Sequence, residues 1–144
     1  MMIYEEGMLL RFEPFYFKNG ALSKPKYFVV LKYIGGTLMM ASLPTSKDHI
    51  PMDLTLSQGC VNDVERDVNA YVFDAGNQVT TNSFAFPRRT FIYAEQVDEY
   101  GIEYLNAMKS EVINLGKIKP ELFQALVDCL RNSKTLKRKY RKLL

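Results

Sequence analysis

The sequence predicts a mainly β domain with a C-terminal helix, in which a small antiparallel barrel carries one or two packed helices. Apolar runs that are typical of strands fill the first two thirds of the chain, whereas helical periodicity appears only near its end. The length of 144 residues, with no repeat and no clear linker, matches a single domain. These observations argue against most multidomain enzyme architectures.

The strands are predicted from runs rich in aromatic and branched apolar residues. In chain order they cover residues 7–17, 26–34, 37–43, 70–73 and 90–94, with shorter candidates at 52–56 and 82–86. Turn residues separate the first three strands: Asn19-Gly20 and Gly35-Gly36 lie between them, and Pro44 follows the third. The order of these signals predicts antiparallel neighbours.

A long surface loop is predicted over residues 44–69, which combine prolines, hydroxyl residues and acids with little periodicity. Loops of this length inside a compact domain are more often functional than filler. The two cysteines, Cys60 and Cys129, show no metal-binding spacing and are too few for a disulfide framework, so we expect reduced thiols. The single histidine, His49, excludes a His-rich metal site, and we predict no metal and no cofactor.

Helical signals come late in the chain. Residues 97–110 are compatible with an amphipathic helix or a helical turn, and a second helix is predicted to begin at Pro120, a residue that suits the first helical position. Apolar residues then recur at spacings of three and four as far as Leu130. We therefore predict a domain over residues 1–133, followed by a basic tail over residues 134–144.

The net charge of +3 is unevenly distributed along the chain. From Arg131 onward there are seven basic and no acidic residues, whereas residues 1–130 contain 12 basic and 16 acidic residues, a net charge of −4. Such a basic run is typical either of contact with nucleic acid or an acidic partner, or of a solvated helix end. No apolar stretch is long enough to span a membrane, and early acids replace the basic start of a secretory signal. We expect a cytoplasmic protein without membrane contact.

Three segments resemble, in order and spacing, the PemK/MazF toxin family. They are GMLLRF at the start, KPKYFVVL followed by SLPTS, and FIYAEQV leading to KIKPELFQALVDCL. The resemblance implies an SH3-like barrel that forms a homodimer and cleaves single-stranded RNA without a metal. It also implies an acidic antitoxin protein whose peptide covers the active groove.

The resemblance also suggests site residues. The family's phosphate-binding arginine falls at Lys24, its threonine at Thr45 and its acid at Glu95. Lysine keeps the positive charge but loses the two-pronged contact of a guanidinium with phosphate oxygens. This difference leaves a second function open, a non-catalytic barrel that binds RNA or a protein partner. A third possibility is a structural protein of a mobile element.

Cleavage at the 2′-hydroxyl requires a base, donors that stabilise the charged phosphorane, and an acid for the leaving oxygen. His49 is a candidate acid or base, or a solvated loop histidine. Glu95 is a candidate base, or a carboxylate paired at a strand end. With Lys24 and Thr45, these two form the candidate catalytic set.

Candidate RNA-binding residues surround this set. Lys26 can clamp phosphate together with Lys24, although surface lysines at the start of a strand would look the same. Ser46 can donate to phosphate, but Pro-Thr-Ser is also ordinary turn chemistry. Arg88 and Arg89 are candidates to supply a guanidinium from another loop.

Overall fold

A computed structural model describes residues 3–43, 58–65 and 68–144, and it confirms a mainly β fold with a C-terminal helix. Eight strands are present: β1 (Met8–Phe15), β2 (Lys24–Ile34), β3 (Thr37–Leu43), β4 (Gly59–Asp63), β5 (Val68–Phe73), β6 (Thr90–Tyr93), β7 (Val97–Gly101) and β8 (Glu111–Lys117). The helices are α1 (Ile102–Ala107), α2 (Pro120–Arg131) and α3 (Arg138–Arg141), and a 3₁₀ turn spans Ala94–Gln96.

The strands form two antiparallel sheets. The larger sheet has the order β7-β3-β2-β1-β8, and the smaller has the order β4-β5-β6. No closed barrel is formed by the strands in the described part of the chain. None of the helices found there is long and apolar enough to cross a membrane.

Both faces of the larger sheet are buried, which explains the nearly continuous apolar runs of β2 and β3. One face packs against the smaller sheet, α2 and the C-terminal segment. The other packs against residues outside the sheet, namely Tyr4, Phe17, Ile102, Leu105 and Met108. Alternating residues of β2 divide between these two faces: Val29 and Leu31 belong to the first, and Phe28 and Val30 to the second. The central strand β2 therefore places side chains in the core on both faces of the larger sheet.

The structure differs from the sequence-based expectation at three strands. The segment expected as a helix over 97–110 begins with β7, because Val97–Gly101 pairs with β3, and only Ile102–Ala107 is helical. The predicted loop over 44–69 contains β4, which pairs with β5. Strand β8 was not predicted and pairs with β1. The short candidate strand at 52–56 lies outside the described residues, and residues 82–86 contribute only an isolated bridge, at Ala85.

The C-terminal basic segment, which we predicted as a tail, packs into the domain. Leu136 and Tyr140 are buried in the core beside α2. The Arg141 guanidinium donates hydrogen bonds to the carbonyl oxygens of Arg131 and Ser133, which lie at and just beyond the end of α2. Carbonyl groups at a helix end lack intrahelical partners, so this arginine satisfies them while fixing the last residues of the chain.

Cys60 and Cys129 form a disulfide between β4 and α2, so the expectation of two reduced thiols is wrong. Their Cα atoms lie 5.5 Å apart although the residues are 69 positions apart in sequence. Cys60 is exposed and Cys129 is buried in the core. The sequence spacing gave no sign of this pair because only the packing of α2 on the smaller sheet brings the two sulfurs together.

We expect reduction of this disulfide to destabilise the fold. Closing a loop across 69 positions restricts the unfolded chain enough to contribute about 4 kcal/mol to the free energy of unfolding. Denaturant unfolding with and without dithiothreitol measures this difference. In the double variant Cys60→Ser/Cys129→Ala the reductant should have no effect, and an equal response of that variant would contradict the assignment.

Candidate functional site

The candidate site is a polar cavity of about 180 Å³ at one edge of the larger sheet. Aromatic side chains of Phe17, Phe28 and Tyr100 line part of it. Its polar lining comes from four parts of the chain and consists of Lys26, Ser42, Glu95, Gln96, Asp98 and Lys137. The cavity is smaller than the usual pocket for a drug-sized ligand, so it suits one small group such as a phosphate.

Lys26 is the most unusual residue of this cavity. Only 9% of its surface is exposed, and its ammonium has no ion-pair or hydrogen-bond partner among the described residues. Burial and the neighbouring charge of Lys24 both lower the pKa of Lys26. Buried lysines are normally paired, so this one is available to an anion that enters the cavity.

The position of Lys26 follows from strand geometry. Lys26 lies two residues before Phe28 on β2, so both side chains point to the same face of the sheet. Opposite them, Ser42 of β3 pairs with Phe28, and its hydroxyl lies 3.2 Å from the Gln96 side-chain oxygen, to which it donates. This bond connects β3 to the 3₁₀ turn that carries Glu95.

Lys24 lies close to the cavity but is not one of its lining residues. It is exposed on the same face of β2 as Lys26, and its Nζ lies 6.0 Å from the centre of the Phe17 ring, which lines the cavity. Lys26 therefore places one positive charge in the lining, and Lys24 adds a second beside it. Glu95 is exposed and contributes a carboxylate to the lining.

The C-terminal segment contributes Lys137 to the cavity. A polar network fixes this segment to β7: the Tyr140 hydroxyl donates to the Asp98 carboxylate at 3.1 Å, and the Lys139 ammonium pairs with Glu99 at 3.1 Å. Burial alone would raise the pKa of Asp98, but hydrogen bonds from the Glu99 amide and Tyr140 and the charge of Lys18 lower it. Asp98 is therefore ionised near neutral pH and accepts the Tyr140 hydrogen bond.

The structure brings three of the sequence-predicted site residues together, namely Lys24, Lys26 and Glu95. Arg88 and Arg89 lie at the opposite end of β6 from Glu95, and the Arg89 guanidinium pairs with Asp74 at 3.5 Å. Thr45, Ser46 and His49 lie outside the described residues. No arginine lines the cavity within the described ranges.

Sequence reasoning missed several residues of the cavity. Gln96 lies inside the quoted segment FIYAEQV, but nothing local shows that its side chain meets Ser42. Lys137 carried no local signal, since its position depends on how the chain folds back after α2.

The described residues contain no group of three or more His, Cys, Asp or Glu side chains arranged to hold a metal ion. Comparison of the chain with protein-family models, with curated proteins and with solved structures found no match.

Proposed function

We propose that this protein binds single-stranded RNA at the Lys26 cavity and cleaves it there as a metal-independent endoribonuclease. The observation that carries the proposal is the nearly buried Lys26, without a partner in the described chain, in a cavity that it shares with Glu95 and Lys137. A phosphate group would supply negative charge and acceptor oxygens to the lysine ammonium groups. The resemblance of the sequence to PemK/MazF toxins favours RNA as the source of that phosphate.

In this scheme the cavity lysines stabilise charge while Glu95 moves the proton. The Glu95 carboxylate accepts the proton of the 2′-hydroxyl, and the 2′-oxygen attacks the adjacent phosphorus. The bond from phosphorus to the 5′-oxygen then breaks, and the leaving 5′-oxygen takes a proton from water. The Lys26 ammonium donates to the phosphorane oxygens, where negative charge accumulates, and Lys24 and Lys137 add to the positive field. Binding in a partly enclosed cavity strengthens these interactions relative to those in open water.

The resemblance carries four further proposals. The two sheets are an opened relative of an SH3-like barrel, the protein acts as a homodimer, an acidic antitoxin protein covers the cavity, and the protein works in the cytoplasm. Disulfides rarely persist in the reducing cytoplasm. The Cys60–Cys129 disulfide therefore counts against the last of these proposals. Alkylation of free thiols in fresh cell extract tests it: a cytoplasmic protein should have both thiols free there, and an intact bond would contradict the location.

A second candidate function is a non-catalytic module that binds RNA or a protein partner through the same cavity. The absence of arginine from the described lining favours it, since a guanidinium is the usual bidentate ligand of a phosphorane. RNA that binds in a Lys26-dependent way but stays intact would identify this function.

Cleavage of an unstructured RNA in the presence of EDTA tests the leading proposal. We expect Lys26→Met to lower both RNA affinity and cleavage rate, the latter roughly 100-fold, because the phosphorane loses its main donor. Glu95→Gln should lower the rate by a similar factor, roughly 100-fold, with little change in affinity, because only proton transfer is affected. A gel assay and fluorescence anisotropy measure the two effects.

Lys32→Met is the matched control, since Lys32 lies at the other end of β2 and away from the cavity. It should leave both measurements unchanged. If the wild-type protein leaves RNA intact across acidic, neutral and basic buffers, the endoribonuclease proposal fails.

We expect the same Lys26→Met substitution to stabilise the free protein by about 1 kcal/mol, because it removes a buried charge that has no described partner. The sign follows from linkage. The folded-state pKa of Lys26 is lowered, so protonation of this lysine favours the unfolded chain. The resulting destabilisation is present at neutral pH. It disappears as the pH rises past the unfolded-state pKa. Urea unfolding measures the change, and a lower stability would show that Lys26 has a structural partner.

Lys137 should contribute to RNA affinity, although the rest of its segment is structural. Lys137→Met is expected to weaken binding and to reduce the slope of log affinity against log salt by about 1, the value for one phosphate contact. Lys142→Met removes the same charge from an exposed position on the same segment and serves as control. Equal effects of both substitutions would indicate general attraction by the basic segment and would argue against a site at the cavity.

A further inference from the structure

We propose that Lys26 is also an imine-forming lysine, whose amine captures small aldehydes that carry an anionic group. This reactivity goes beyond RNA cleavage and needs no RNA. It rests on three features of the cavity: a lysine that is 9% exposed and whose amine has no described partner, positive charges beside it, and two carboxylates in the same lining.

Two features of the cavity favour the neutral, nucleophilic form of the Lys26 amine relative to an exposed lysine. A lysine is a nucleophile only when neutral, and proteins favour the neutral form by desolvating the amine or by placing another cation beside it. Both conditions hold for Lys26, which is 9% exposed and lies beside Lys24 on the same strand face. The titratable groups that line the cavity with Lys26 are Glu95, Asp98, Lys137 and the Tyr100 hydroxyl. Two further charges lie beside them, Lys24 next to Lys26 and Lys18 paired with Asp98.

The cavity also selects the ligand. Its volume of about 180 Å³ admits a molecule of only a few heavy atoms, and Lys24 and Lys137 attract a carboxylate or phosphate. Such a group would bring an attached carbonyl carbon close to the Lys26 nitrogen. A neutral aldehyde of the same size lacks this attraction, so the anionic group determines which aldehydes react.

The reaction balances without an oxidant or a reductant. The Lys26 ammonium first loses a proton to solvent or to the Glu95 carboxylate. The nitrogen lone pair then forms a bond to the aldehyde carbon, the carbonyl electron pair moves to oxygen, and that oxygen takes a proton to give a carbinolamine. Loss of this hydroxyl as water, with the second amine proton, leaves a carbon–nitrogen double bond. One amine and one aldehyde therefore give one imine and one water.

Trapping with glyoxylate tests the proposal on the full-length protein. Cyanoborohydride reduces any imine to a stable secondary amine, and peptide mass spectrometry measures the adduct at each lysine. We expect Lys26 to be trapped roughly tenfold faster than Lys32, the advantage that one charge-assisted contact to the carboxylate provides. With propanal, which has no carboxylate, this preference should be lost.

Two variants extend the test. Lys24→Gln should shift the pH at which trapping is half-maximal upward, because it removes a charge that disfavours the Lys26 ammonium; a purely structural role of Lys24 would not move this pH. Lys26→Arg keeps the positive charge but cannot form an imine, so adduct at this position should vanish. Trapping is measured without RNA and RNA cleavage without aldehyde, so failure of the imine proposal and failure of the RNA proposal appear in separate assays. Trapping spread evenly over the lysines, or equal selectivity for propanal and glyoxylate, would overturn the proposal.

Discussion

The fold depends on the burial of β2 and β3 on both faces. Phe28 and Val30 of β2 point to one side and Val29 and Leu31 to the other, and all four are fully or almost fully buried. A sheet with two apolar faces needs cover on both sides. On one side this cover consists of the smaller sheet, α2 and the C-terminal segment, and on the other it consists of residues outside the sheet, among them Tyr4, Phe17 and Leu105.

The cavity lies at the edge of the second face. The aromatic side chains of Phe17, Phe28 and Tyr100 line part of it, and polar residues complete the lining. Lys26 lies between Lys24 and Phe28 on one face of β2 and pairs with Phe12 of β1, so the register of a mostly buried strand draws its side chain into the protein. Burial of a charge without a described partner opposes folding. A bound anion would supply the missing partner, which is why we propose a binding site here.

Much of the fold could be predicted from local patterns. The elements that were not predicted depend on contacts between segments that are distant in sequence. Strands β2 and β3 and helix α2 carry uninterrupted apolar runs or a clear apolar stripe, so their sequences define them. Strand β7 contains Asp98 and Glu99 and exists because it pairs with β3, about sixty residues earlier in the chain. Strand β8 is only half-buried, and a shift of register beside β1 interrupts its alternation. The disulfide depends in the same way on contacts between distant segments.

The site was predictable to the extent that its residues lie on such local elements. Lys24 and Lys26 belong to β2, and Glu95 follows β6, so these three could be named from the sequence. Ser42 and Lys137 enter the cavity only through tertiary packing. Thr45, Ser46 and His49 stay predictions, since they lie outside the described residues.

The structure changes the interpretation of the charge distribution, because it shows what the residues of the basic segment contact. The charge of +7 after residue 130 suggested one nucleic-acid contact surface, but several of these residues serve the fold. Arg141 binds carbonyl groups at the end of α2, Lys139 pairs with Glu99, and Arg131 lies 3.6 Å from Asp128. Lys137 is the member of the segment that lines the cavity. We therefore expect an anion to be attracted less by the net charge of the segment than by three lysines that two distant parts of the chain bring to one place, and this local field is the basis for proposing an anion site there.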